Sequence, residues 1–221
     1  MMTNQPDQNW YRQFKLLIPT MVIAYSLTLA AVVGISFLAI STGRRVWYFT
    51  SDPFILGNLP FYAGILSNVG ILFWSAGATV CFFSVSIRRK EEFIGRYKRF
   101  LVMSGLITSL LLVDDLFQMH RIFYPKVLHI PTFIVYCVYG LLGLWYLLIF
   151  RKQIMETEYL MLALALGFLG LAVIIDILSI VPRGSTALSD FLKFFGIVSW
   201  FIYFTRTCWK ILTGQMVCGT V

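Results

Sequence analysis

Long apolar runs, each sufficient to cross a bilayer as a helix, leave this chain little freedom in what it can fold into. They cover about residues 16–40, 61–86, 100–120, 132–150, 159–181 and 190–212. A hydrocarbon core of ~30 Å is spanned by about 20 residues of α-helix. Only 13% of the residues are charged, against roughly a quarter in an ordinary soluble domain. The sequence therefore predicts an all-α, polytopic integral membrane protein with six transmembrane helices. Residues 1–15 form a short N-terminal segment, 16–212 the six-helix domain and 213–221 a short tail. The first run is too long for the apolar core of a cleaved leader and has no small-residue cleavage site after it, so it is expected to be retained.

The net charge of +8 would suggest nucleic acid in a soluble protein. Here the basic residues flank the apolar runs, so anionic lipid head groups of the bilayer are the expected partner and nucleic acid is not. With the N-terminus inside, the inner face receives Arg12, Lys15, Arg88, Arg89, Lys90, Arg96, Lys98, Arg99, Arg151, Lys152, Arg206 and Lys210. The outer face keeps Arg44, Arg45, Arg121, Lys126, Arg183 and Lys193. Twelve against six predicts both termini on the cytoplasmic side of a cell membrane, plasma or bacterial inner. Cys81, Cys137, Cys208 and Cys218 are widely spaced, and no zinc framework or disulfide scaffold follows from them. No motif declares a cofactor or a metal.

Against this background the stretch from Leu111 to Arg121 stands out. It sets Asp114, Asp115, Gln118, His120 and Arg121 at one end of an apolar run. A charge inside a bilayer costs at least a few kcal/mol, so each such residue is a candidate for function. Given the alternating direction of the spans, Asp114, Asp115 and His120 fall toward the outer end of the third and Asp176 toward the outer end of the fifth. Asn68, Tyr136, Tyr139, Asp190 and Lys193 lie in the outer portions of the second, fourth and sixth. The predicted ion or substrate site is Asp114, Asp115, Gln118, Asp176, Asn68, Tyr136, Tyr139, His120 and Lys193. Helical periodicity adds a polar stripe of Ser75 and Thr79 on the second span, facing Ser104 and Thr108 on the third.

Each feature also has a plain structural reading. Hydroxyl stripes hold helices together, or bond back to the preceding turn, more often than they line a water path. Asp190 and Lys193 make a local pair at a helix start; Asp176 pairs with Lys193 or Arg183. His120 and His129 are surface residues, and Gly140/Gly143 and Gly167/Gly170 are packing seams. The Asp114–Asp115 doublet resists such a reading, because adjacent helical positions diverge by about 100° and cannot share one partner.

Three functions fit. Burial disfavours the ionised form of a carboxyl group, so acids in a poorly solvated pocket are expected to take up and release protons at a pH where exposed acids stay ionised, which suggests proton- or cation-coupled transport or conduction. A non-catalytic accessory or assembly subunit, in a homo-oligomer or a larger membrane complex, is the alternative. The third is an intramembrane metal-dependent lipid hydrolase, with Asp114, Asp115, His120 and Asp176 as ligands and Ser75 or a bound water as nucleophile.

Overall fold

The computed structural model describes residues 7–50, 53–60, 62–87, 92–178 and 187–215. The basic residues Arg88, Arg89, Lys90 and Arg183, and Cys218, lie outside the described residues. Every regular element among the described residues is helical. The chain divides into two compact units, Met1–Ala63 and Gly64–Val221.

In the first unit, α1 (Asp7–Thr42) is followed by two short helices, α2 (Val46–Thr50) and α3 (Pro53–Leu56). The whole of the first expected span lies inside α1. The helix stops where Gly43 takes φ +64°, letting Gly43 N–H reach Ile40 O and Arg44 N–H reach Ala39 O. Only a residue at ease in the left-handed region closes a helix this way. Proline at the first position of α3 already lacks the N–H that a helix start leaves unpaired.

The second unit contains α4 (Ile65–Ser86), α5 (Glu92–Leu116), a π-helical turn (Met119–Phe123), α6 (Tyr124–Lys126), α7 (Thr132–Ile149), α8 (Arg151–Met155), α9 (Tyr159–Leu178) and α10 (Ala187–Thr213). Helix α10 is central, packing against α9 on one side and α4 on the other, while α4 also packs against α5. The core between them is aromatic: Trp74, Tyr97, Phe100, Trp200, Tyr203 and Phe204 are buried together. The thiols of Cys81 and Cys208 meet within it, across α4 and α10. Helix α7 reaches the core through long side chains, with Tyr146 stacked on Phe100 and its hydroxyl 2.7 Å from Ser104 Oγ.

Small residues act elsewhere than the sequence suggested. Gly167 and Gly170 of α9 are exposed, and a Cβ on either would meet nothing within 4 Å; the same is true of Gly140 and Gly143. Helix α9 instead turns its Leu162–Ala165–Ala172 face inward. The close approach is at Gly196 of α10, where a Cβ would lie 2.6 Å from Leu169 Cγ and 3.1 Å from Ala165 O.

Among the described residues, α4, α7, Tyr159–Ile177 of α9 and Leu188–Thr213 of α10 are long and apolar enough to cross a membrane. Tyr97–Leu116 and Met119–Lys126 make a fifth if taken as one span, bent by 56°. Only 11% of the apolar window of α7 and 17% of that of α9 is buried, so their remaining faces require an apolar surrounding. The third span differs from the continuous helix expected to His120. Helix α5 ends at Leu116, and Gln118 adopts φ +50° before the π turn begins.

Just before α9, Glu158 receives Arg206 through two N–H groups and Lys210 at 2.5 Å, tying the start of α9 to the end of α10. Hydrogen bonds from Arg206 and then Lys210 hold its carboxyl down to about 2, against an ordinary value of 4.5. A carboxylate depressed by folding stabilises fully above its unfolded value and loses that contribution as pH falls toward the folded one. In detergent, the melting temperature of the protein is expected to drop between about pH 4.5 and 2, and Glu158→Gln to show a shallower drop together with a lower value at neutral pH. Parallel curves for the two proteins would show that this carboxylate does not fasten α9 to α10.

Candidate functional site

The last turn of α5 points its two acids in different directions, and each finds a separate partner. Asp114 is 8% exposed and Asp115 3%. Asp114 Oδ1 accepts Tyr139 Oη–H at 2.8 Å and the backbone N–H of His120 at 3.1 Å, while Oδ2 meets His120 Nδ1 at 2.5 Å. This loop from residue 114 to 120 closes only because Gln118 breaks the helical phase. In a continuous helix six residues turn through about 600°, placing His120 two-thirds of a turn away from Asp114. The left-handed Gln118 and the π turn swing it back, and the side chain of Gln118 caps the break by donating to Asp115 O at 2.9 Å. Asp115 faces α10, where Lys193 Nζ bonds its Oδ1. Its Oδ2 is buried and has no hydrogen-bond partner.

A second cluster lies alongside. Asp176 of α9 accepts Ser189 Oγ–H at 2.7 Å, Arg121 Nη2 at 3.2 Å and Tyr136 Oη–H at 3.4 Å. Arg121 also approaches Asp190 Oδ1 at 3.9 Å. The rings of His120 and Tyr136 stand 5.7 Å apart, which joins the two clusters. Arg121 is the shared member: together with Asp115, Gln118, Asp190, Lys193 and Ser67 it lines a cavity of about 230 Å³, whose apolar wall is Leu66, Phe194 and Ile197.

The structure thus brings together Asp114, Asp115, Gln118, Asp176, Tyr136, Tyr139, His120 and Lys193. Asn68 is exposed and bonds to none of them. The two halves of the polar stripe do not face one another. Ser75 and Thr79 are exposed, with Thr79 bonded back to Ser75 O at 2.8 Å. Ser104 and Thr108 are buried, Ser104 bonded to Phe100 O and Tyr146, Thr108 to Ser104 O while accepting Trp200 Nε1–H at 3.0 Å. These hydroxyls lock α5 to α7 and α10. His120 is buried, not a surface group, whereas His129 is exposed. Lys193 pairs across helices instead of with Asp190, and Asp176 takes Arg121. The predicted site left out Arg121 and Asp190, both noted in the sequence as charges near span ends, and Ser189, which drew no notice. A charge at a span end reads as an interfacial anchor, and nothing in the sequence marks Arg121 as turned inward.

Among the described residues no three of His, Cys, Asp and Glu are placed to share a metal ion. Of the ligands that a metal site would need, Asp114 and His120 bond each other, Asp115 bonds Lys193, and Asp176 bonds Arg121, Tyr136 and Ser189.

The model of a family described as a domain of unknown function, DUF8692, matches residues 22–207. The chain belongs to that family. No curated protein and no solved structure matches it. The DUF8692 match begins within α1, ends within α10 and encloses every residue of the charged site.

Removing one member of a buried ion pair strands the other, at a cost of about 3–5 kcal/mol, while removing both is far milder. Lys193→Met is therefore expected to lower the melting temperature in detergent strongly, and Asp115→Asn added to Lys193→Met to restore most of the loss. If the double variant is as unstable as the sum of the singles, the two side chains are not coupled.

Proposed function

We propose that this is a six-span protein of the cell membrane, plasma or bacterial inner, with α1 as the sixth span and both termini cytoplasmic. Its charged cavity opens in the outer half of the membrane and serves proton- or cation-coupled transport of a small solute. One observation carries the reading: Asp115, almost wholly buried at the cavity wall, has a lysine from another helix on one oxygen and nothing on the other. A structural ion pair inside an apolar bundle needs all its lone pairs satisfied to hold together; one left half-satisfied is poised to exchange a partner. The Asp114–His120–Tyr139 group beside it supplies a second place for a proton, a carboxylate, an imidazole and a phenol joined by hydrogen bonds. Beyond the cavity, Trp74, Trp200, Phe100 and Phe204 pack into a dry core. That packing favours a carrier that closes and reopens over a conduit open on both sides.

The alternative, an accessory subunit of a larger membrane assembly, is favoured by the open small-residue faces of α7 and α9, of the kind against which another membrane helix packs closely. Reconstituted liposomes separate the two. Under an imposed inside-negative potential, with a mixture of small solutes supplied outside, the protein is expected to carry protons or sodium inward well above empty vesicles. Asp115→Asn is expected to lose at least ~90% of that flux, as a tenfold change corresponds to only 1.4 kcal/mol in the controlling step. Flux equal to that of empty vesicles, or unchanged by Asp115→Asn, rules the carrier reading out; in the first case, a co-purifying membrane partner supports the subunit.

A further inference from the structure

This inference rests on the reading of the cavity as a ligand site and concerns what that ligand is. The lining has unused hydrogen-bonding capacity of both signs. A guanidinium has five N–H donors and an ammonium three. Arg121 donates to Asp176 and Lys193 to Asp115, which leaves donors spare on both. Their side chains are 43% and 30% exposed, the most open parts of their ion pairs with Asp176 and Asp115. On the acceptor side, Asp115 Oδ2 has no donor. Asp190, half exposed, has Arg121 only at 3.9 Å, beyond hydrogen-bond length.

Two cations and two anions on the wall sum to zero. A ligand with a single positive group would satisfy the carboxylates and be repelled by Arg121 and Lys193; a single negative group would meet the reverse. A molecule with both satisfies all four. The volume of about 230 Å³ equals some seven or eight waters at ~30 Å³ each, the scale of a small amino acid. We infer that the cavity receives a small zwitterion, its ammonium group held by Asp115 and Asp190, its anionic group by Arg121 and Lys193, and its short apolar body by Leu66 and Phe194. On binding, the ligand's N–H groups supply the donor that Asp115 Oδ2 lacks, and Lys193 is shared between Asp115 and the ligand's anionic end.

The test uses the full-length protein in phosphatidylglycerol nanodiscs, with equilibrium dialysis of radiolabelled leucine, alanine and phosphoethanolamine. For a bound amino acid, the matched single-charge probes are isoamylamine, which is leucine without its carboxylate, and isocaproate, which is leucine without its amino group. Saturable binding of at least one zwitterion is expected, with isoamylamine and isocaproate at least ~tenfold weaker as competitors, a loss of one polar contact each. Asp190→Asn, at a half-exposed side chain with no hydrogen bond to Arg121, is expected to weaken zwitterion binding while leaving the gel-filtration profile unchanged. No saturable binding of any zwitterion, or competition by either single-charge probe as strong as leucine itself, overturns the inference. Phosphatidylethanolamine added to the disc competes if the zwitterion is a lipid head group and does not if it is a free solute. Binding without flux in liposomes retires the carrier and keeps the ligand class. Proton flux without zwitterion binding retires the ligand class and keeps the carrier.

Discussion

An ionised carboxyl group taken out of water into an apolar bundle must be met by a counter-group, and in this chain no counter-group lies next to it in sequence. Asp115 is matched by Lys193, Asp114 by His120 and Tyr139, and Asp176 by Arg121, Tyr136 and Ser189. The need to match these acids draws α5, α7, α9 and α10 together at one end, just as the aromatic core draws α4, α5 and α10 together along their length. The two forces differ in kind. Aromatic packing is non-directional and tolerant, while each carboxylate accepts only donors placed within about 3 Å. The charged end therefore sets the register that the apolar faces alone leave loose.

The break in the third span belongs to the same logic. A non-glycine residue held at positive φ and a π turn both cost energy, of the order of 1–3 kcal/mol for the backbone strain alone. Such features persist where their surroundings hold them. Here Asp114 does so by binding the backbone N–H and the ring of His120 together. Without the break, His120 would face away from Asp114. With it, one short segment supplies the buried histidine and the arginine that sits between α9 and α10.

Much of the helical plan could be read from length and hydropathy, because lipid leaves a spanning backbone no option but to satisfy itself. The gathering of Asp114, Asp115 and Asp176 was legible too, since the order of the helices sets the ends of α5 and α9 beside the start of α10, where Lys193 and Ser189 lie. What could not be read was which partner each acid takes. Periodicity assumes an unbroken helix, and Gln118 gives no hint of its left-handed backbone, so the plain reading of His120 as a surface residue misses its burial against Asp114. The hydroxyl stripe of α4 follows helical spacing faithfully, yet Asn68, Ser75 and Thr79 face out of the bundle. Spacing identifies residues that share a face; it does not tell which face is turned inward when both are apolar apart from a few small hydroxyls. Gly167 and Gly170 mislead for the same reason, being aligned on one face while α9 packs through another.

Charged side chains from α5, α10 and the π turn line one cavity, and we propose that it opens on the outer face. Ser67 lies on its wall, and Ser75 lies on the same helix, exposed and about 12 Å further along it. In a background without the native cysteines, Ser67→Cys in intact cells is predicted to react with a membrane-impermeant maleimide added outside, and Ser75→Cys to react from neither side. Reaction of Ser67→Cys only after the cytoplasmic face is opened, or not at all, would contradict the account.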